Sequence, residues 1–328
     1  MRRRTFLAGA GLLALQLSGC GAQKQTAPEY VLTYAENQPA DYPTTQGAQY
    51  FADLVRERTG GRVIVQVKAG GEYGTEEEVW MQLGIGGVDF ARLSLSIITG
   101  DLPKLNVLLL PYLYRDADHM RSVLDGELGK EFLQGFAEKD CIGLSWYDAG
   151  ARSFYARQPI KSLADLAGRI VRVQDSAITM DMIKLLGAVP ETSAYSNVYS
   201  ALETGQIDAA ENNWPSYYSM GHYKVARYYT KDEHSRVPEI QLASGRTWAA
   251  LPEEYRQILR ECAAESAEYE RQLWAQEETA AREAALAAGC HEIILSEEEL
   301  ENFRQLVQPL YKKYCGDYLL LVEEIQRN

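Results

Sequence analysis

The chain has 328 residues, a net charge of -13, and is 46% hydrophobic and 10% aromatic. That hydrophobic content supports a substantial core and excludes intrinsic disorder, and the length allows two domains. So acidic a surface argues against nucleic acid or an anionic bilayer as the partner surface.

The first segment is not part of the fold. Arg2, Arg3 and Arg4 precede an apolar run from Phe6 to Leu17, and Leu17-Ser18-Gly19-Cys20 comes next. The run is too short to span a bilayer comfortably. The order is that of a secretory signal over residues 1–19. With cysteine at the cut it resembles a bacterial lipobox. The resemblance implies cleavage before Cys20, lipidation of its thiol and amine, and so a membrane anchor. Arg3-Arg4-Thr5-Phe6-Leu7 also resembles a twin-arginine export signal. General-secretion signals are arginine-rich too, so both export routes stay open. Residues 20–29 read as the lipidated cysteine and a polar tether. No later apolar run reaches membrane-spanning length.

The first half of the mature chain alternates strand and helix. Tyr30 to Tyr34 is a short apolar strand. Gly47 to Arg58 has helical periodicity through Ala48, Phe51, Ala52, Leu54 and Val55, and Thr59-Gly60-Gly61 stops it. Arg62 to Val67 alternates as a strand, Glu76 to Gly84 reads as a helix, and Val88 to Leu93 as a strand. This order predicts an α/β unit with parallel strands and right-handed crossovers. A second unit begins near Cys141. Strands are expected over 142–147, 153–156, 170–173 and 207–210. A capped helical turn is expected at Ser162-Leu163-Ala164-Asp165-Leu166. Helices over 176–186 and 197–204 are stopped by Gly187 and Gly205.

Pro252 to Ala288 differs. It is rich in Ala, Glu, Gln and Arg, with no glycine or further proline inside it. Pro252 suits a first helical turn and Gly289 a C′ cap. Unbroken, it would run roughly 55 Å and lie across both units. No clean heptad supports the rival coiled coil, and two helices with a kink are the alternative to one bracing helix. Glu297 to Ile325 reads as one or two amphipathic helices. The expected fold class is therefore α/β, with two lobes, a ligand cleft between them and a long helix over 252–288 spanning both. Lobe I takes 30–149 with 238–277. Lobe II takes 150–237 with the C-terminal helical region to 328.

Cysteine and histidine make no framework. Cys141, Cys262, Cys290 and Cys315 are scattered without a CxxC spacing, so a zinc site is not expected; an exported chain could pair them, and four free, largely buried thiols are the expectation. His119, His222, His234 and His291 are dispersed, and no GxSxG elbow supports a catalytic triad. No cofactor, metal or catalytic residue is expected. Two exported lobes suggest instead a cleft that captures a ligand. Ile170-Val171-Arg172-Val173 puts a cation inside an apolar strand. It is either a surface arginine or a guanidinium aimed into the cleft for a carboxylate, and the pattern leaves both open. Asp208-Ala209-Ala210-Glu211-Asn212-Asn213-Trp214 follows a strand, where open α/β sheets bind ligands. Amides there suit vicinal hydroxyls, and a tryptophan suits the C–H face of a sugar. The alternative is an Asx turn capping the next element, with Trp214 in the core.

Several segments resemble the solute-binding subunits of DctP-type TRAP transporters. These are Thr59-Gly60-Gly61-Arg62-Val63, Gly74-Thr75-Glu76, Val171-Arg172-Val173, Leu186-Gly187-Ala188-Val189-Pro190 and Tyr199-Ser200-Ala201-Leu202-Glu203-Thr204-Gly205-Gln206-Ile207-Asp208. The similarity runs over nearly all of the mature chain. It implies two α/β lobes, a long helix spanning both, and delivery of an organic acid to a membrane permease driven by an ion gradient. The family's carboxylate-binding arginine falls on Arg172. Its second cleft arginine falls on Arg152 in Gly150-Ala151-Arg152, its cleft aromatic on Tyr195, its Glu-Asn pair on Glu211-Asn212 and an N-terminal asparagine on Asn37. Asp208-Ala209 departs from the family's usual Asp-Gly and puts the local backbone in doubt.

Arg172-Val173-Gln174-Asp175-Ser176, Glu211-Asn212-Asn213-Trp214-Pro215-Ser216-Tyr217 and Glu233-His234-Ser235, with Phe90-Ala91-Arg92, are similar to members that bind hexuronates. That resemblance implies D-glucuronate or D-galacturonate as ligand. Its carboxylate would meet Arg172 and Arg152, its hydroxyls Asn212, Asn213, Glu76 and His234, and its apolar face Trp214 or Tyr195. Arg92 and Asn37 complete the expected site. Other organic acids, a ligand-sensing role and an exported carbohydrate-active enzyme are the alternatives.

Overall fold

The computed structural model describes residues 27–328. The expected signal segment, Cys20 and most of the expected tether lie outside the described residues. Eleven strands are present among those described: β1 Tyr30–Ala35, β2 Val63–Lys68, β3 Phe90–Ser94, β4 Cys141–Tyr147, β5 Arg152–Ala156, β6 Ile170–Val173, β7 Val189–Thr192, β8 Ala209–Asn212, β9 Tyr228–Ser235, β10 Glu239–Ser244 and β11 His291–Ile294. They form two sheets, ordered β2-β1-β3-β10-β4 and β11-β9-β5-β8-β6-β7. Each sheet is the centre of one lobe.

Local chemistry explains the first lobe. Helix α1 (Pro43–Arg58) opens on a proline that costs it no hydrogen bond. It buries Ala48, Phe51, Ala52 and Val55, the spacing of one helical face. Helix α2 (Glu76–Ile85) starts with a capping box: Thr75 accepts from the Glu78 N–H while the Glu78 carboxylate accepts from the Thr75 N–H. Three glutamates in its first turn complement the helix dipole. This start fixes Glu76 on the lining of the cleft between the sheets.

Both sheets are mixed rather than parallel. β10 lies antiparallel between β3 and β4, and β5 runs antiparallel to both β8 and β9. The reason is connectivity. The chain leaves the first sheet after β4, builds most of the second, and returns through residues 236–238, so the returning strand enters reversed. Strands β7, β9, β10 and β11 and the helices Ala117–Asp125 and Glu127–Gly135 were not anticipated from the periodicity. The 207–210 strand is shifted to Ala209–Asn212, which places Glu211 and Asn212 on the strand itself. The C-terminal segment forms three α-helices, 297–307, 309–315 and 319–327. Pro309 follows the first break, where a proline has no N–H to continue the helix. At the turn before Leu163, Ser162 does not cap the backbone, and its hydroxyl donates to Asp165.

The long helix is unbroken over Glu253–Ala287, 35 residues, or roughly 52 Å. Pro252 is its N-cap rather than its first turn, and Gly289 just past the end has a left-handed φ of 91°. Its first half packs Tyr255, Leu259, Cys262 and Ala263 on the first sheet and α1. Its second half packs Ala281 and Ala285 against the aromatic cluster of the second lobe. Contact with α1 is close: a Cβ at Gly47 would stand 2.9 Å from Glu270 Cβ. Cys141, Cys262, Cys290 and Cys315 are buried and unpaired. No helix among the described residues is long and apolar enough to cross a membrane.

Candidate functional site

The carboxyl ends of β1, β6 and β8 and the amino ends of the reversed strands β5 and β10 meet between the lobes. They enclose a cleft of about 750 Å3. Its lining includes Asn37, Glu76, Arg92 and Glu239 from the first lobe and Arg152, Arg172, Tyr195, Asn212 and Asn213 from the second. Three arginines therefore share one cavity, and their remaining hydrogen-bonding capacity separates them.

Arg92 is fully occupied. Its Nε donates to Glu36 (3.0 Å), its Nη1 to Glu76 and Glu239 (both 2.7 Å), and its Nη2 to Glu36 and Asn37. A guanidinium has five N–H groups, and all five are used. Arg92 thus holds its neighbours in place and has no donor left for a ligand, contrary to its expected role. Burial, opposed by Arg92 and reinforced by Glu239, pushes the Glu76 carboxyl up to about 7. Burial likewise raises Glu239.

Arg152 keeps one N–H. Its Nε and Nη2 grip Glu211, its Nη2 also reaches the Glu211 carbonyl (2.9 Å), and its Nη1 donates to Asn212 Oδ1 (2.9 Å). Behind Glu211 stands His234, wholly buried, with Nε2 3.5 Å from Glu211 and Nδ1 2.8 Å from Asp232. Burial alone would lower the imidazole, but Asp232 and Glu211 outweigh it and raise it to about 9. Burial would raise Glu211, but Arg152 and His234 outweigh it and hold it at about 2. His234 does not line the cleft; it is a charged brace behind Arg152.

Arg172 is different. It is buried, and its Nε and Nη2 both donate to the Ser193 carbonyl, at 3.1 and 2.7 Å. Three N–H groups remain, and no carboxylate in the described residues pairs with it. Burial, the largest effect, pulls its pKa down, and nearby Arg152 acts in the same direction. This is a desolvated cation that lacks its counter-charge.

The polar surroundings are also incomplete. Gln38 Oε1, Thr44 Oγ1, Ser193 Oγ, the Tyr195 hydroxyl and Trp274 Nε1 are buried without a partner, and all five residues line the cleft. Such groups cost roughly 1–3 kcal/mol each when left unmade. Asn212 Oδ1 accepts from Arg152 and from the Asn213 N–H, so its Nδ2 is left over. Asn213 acts mainly as an N-cap: its Oδ1 accepts from the Ser216 N–H (2.8 Å) and its Nδ2 donates to the Ala149 carbonyl. Trp214 is core. It stacks on Tyr229 with ring centroids 3.6 Å apart and does not line the cleft. The Asx-cap and core alternatives thus describe Asn213 and Trp214.

The tryptophan at the cleft is Trp274, from the long helix, set edge-on to Tyr42 with centroids 5.8 Å apart. Residues 34–317 match the family model for bacterial extracellular solute-binding proteins, family 7, DctP. The chain belongs to the DctP family, the solute-binding proteins of TRAP transporters. A curated solute-binding protein of Chromohalobacter salexigens is 36% identical over 281 residues, covering 85% of this chain and 83% of that protein. A TRAP solute-binding protein from Bradyrhizobium sp., solved with α/β-D-galacturonate, is 39% identical with a TM-score of 0.88, covering 90% of this chain and 99% of that one. One from Pseudomonas putida, solved with D-glucuronate, is 34% identical with a TM-score of 0.88, covering 90% and 96%. TRAP solute-binding proteins work in the periplasm, and binding rather than catalysis is the family's activity.

In this DctP-family protein Ala209 replaces the usual glycine without strain. It lies in regular strand β8 and has no positive φ. Sequence reasoning missed Glu36, Glu239, Tyr42 and Trp274. Glu239 carried the signal that marked Arg172, a charge in an apolar strand (Glu239-Ile240-Gln241-Leu242). Trp274 stood alone in a helix rich in alanine and glutamate.

Proposed function

We propose that this protein captures a hexuronate, D-glucuronate or D-galacturonate, and presents it to its TRAP permease. The observation that carries the reading is Arg172, a buried guanidinium with three unused N–H groups on a polar cleft. A carboxylate supplies the missing charge, assisted by the one free N–H of Arg152. The ligand's hydroxyls then meet Asn212 Nδ2, Gln38, Tyr195 and the two oxygens, Glu76 Oε2 and Glu239 Oε1, that carry no hydrogen bond among the described residues. The structures solved with galacturonate and glucuronate support the same ligand class.

The lobes close on the ligand as hinged bodies. Three connections join the sheets, 148–151, 236–238 and the long helix, and the helix limits their opening. The protein binds without turnover and is anchored through Cys20. A thermal-shift and calorimetric screen tests the ligand. Either uronate raises the melting temperature, since it binds only the native state, while the neutral hexose does not. Stabilisation by succinate or pyruvate with none from either uronate overturns the reading. Recovery of unchanged uronate after long incubation checks for turnover, and intact mass of membrane-extracted protein checks for the lipid on Cys20.

A further inference from the structure

The two walls of the cleft differ in charge. On the second lobe Arg152 is balanced by Glu211, and Arg172 is an unbalanced cation. On the first lobe one cation, Arg92, faces three carboxylates, Glu36, Glu76 and Glu239. Glu36 turns both oxygens inward: Oε1 accepts from the Gln38 N–H and from Arg92, and Oε2 from Arg92. Glu76 and Glu239 each commit one oxygen to Arg92. Their other oxygens have no hydrogen-bond partner among the described residues, and both residues line the cleft.

We propose that Glu76 and Glu239, held on Arg92, form an acidic wall that admits a sugar acid with one carboxylate and rejects dicarboxylates of similar length. This rests on the uronate reading. A hydroxyl donates to a carboxylate oxygen, whereas an ionised carboxylate can only oppose it. With one carboxylate on Arg172, the far end of the ligand meets Glu76 and Glu239. A second carboxylate there would add a like charge to a wall that already exceeds its counter-cation. The raised values of Glu76 and Glu239 reflect burial and that crowding. Selection by repulsion of the wrong ligand is as effective as attraction of the right one.

The test compares D-galacturonate with galactarate, the dicarboxylic acid of the same carbon skeleton, and with succinate. Calorimetry is run at about pH 8, above the raised value of about 7 for Glu76. Wild-type protein should bind galactarate on the order of a hundredfold more weakly than galacturonate, since like charges placed together in a binding site cost several kcal/mol. Glu239→Gln and Glu76→Gln should each narrow that ratio by about tenfold or more, whatever they do to the uronate affinity itself. Melting curves show whether each variant folds, and the wild-type comparison needs no variant. Galacturonate binding with galactarate within tenfold of it in the wild type, or an unchanged ratio in both folded variants, overturns the acidic wall and leaves the uronate reading standing. Where D-glucuronate binds in place of galacturonate, the same comparison is made with glucarate; failure of both uronates to bind overturns both readings, whether or not succinate binds.

Discussion

Replacing Arg172 with methionine should separate affinity from stability. The side chain is buried, two of its five N–H groups rest on one carbonyl, and no carboxylate among the described residues forms an ion pair with it. Breaking a buried ion pair by removing one partner costs about 3–5 kcal/mol. For the bound carboxylate that is a loss of roughly two to three and a half decades in affinity. The empty protein pays a different cost. It loses two hydrogen bonds to Ser193 but is relieved of an uncompensated buried charge. The variant's melting temperature without ligand should therefore stay near or above wild type. Arg152→Met is the contrast. It strands the buried Glu211 carboxylate beside His234 and should destabilise the empty protein by about 3–5 kcal/mol. Calorimetry with D-glucuronate measures the first effect, and denaturant melts of ligand-free protein measure the second. Near-native affinity in Arg172→Met would refute the carboxylate assignment. A collapse of its ligand-free stability matching that of Arg152→Met would refute the claim that Arg172 lacks a counter-charge.

Tyr195→Phe removes a hydroxyl without a hydrogen-bond partner among the described residues, so ligand-free stability should hold while uronate affinity falls by about threefold to tenfold, measured by calorimetry. Gly150→Ala should destabilise by at least about 1–2 kcal/mol, because Gly150 has φ 60° and an added Cβ would stand 2.9 Å from Trp274 Nε1 and 2.7 Å from Glu278 Oε1; urea melts check this, and affinity should fall as the indole shifts. His234→Gln should cost up to about 3 kcal/mol. His234 is raised from about 6.5 to about 9, so its stabilisation is complete below pH 6.5 and fades as pH rises through 9; melts of both proteins across pH 6 to 10 should converge at the alkaline end. Glu211, depressed to about 2, gives stability above its unfolded value, near 4.3, that is lost as pH falls through 2.

The periodic elements were legible in the local residue pattern. Apolar spacing placed α1 at Ala48, Phe51, Ala52 and Val55, and a glycine-free run placed the long helix. These are local properties: helix propensity, period and cap chemistry act over a few residues. Resemblance of short motifs was enough for the family. What each charge does depends on contacts made only after folding. Arg92, Arg152 and Arg172 each lie in or at the end of a strand, and nothing local tells them apart. Only the fold sets three glutamates on Arg92, one on Arg152 and none on Arg172. The same holds for the two tryptophans. Trp214 sits beside the strand end yet stacks into the core, while Trp274, far along the chain, reaches the cleft because the long helix crosses both lobes. Binding chemistry depends on which donors remain unused after folding, and that remainder is a property of contacts between residues distant in sequence.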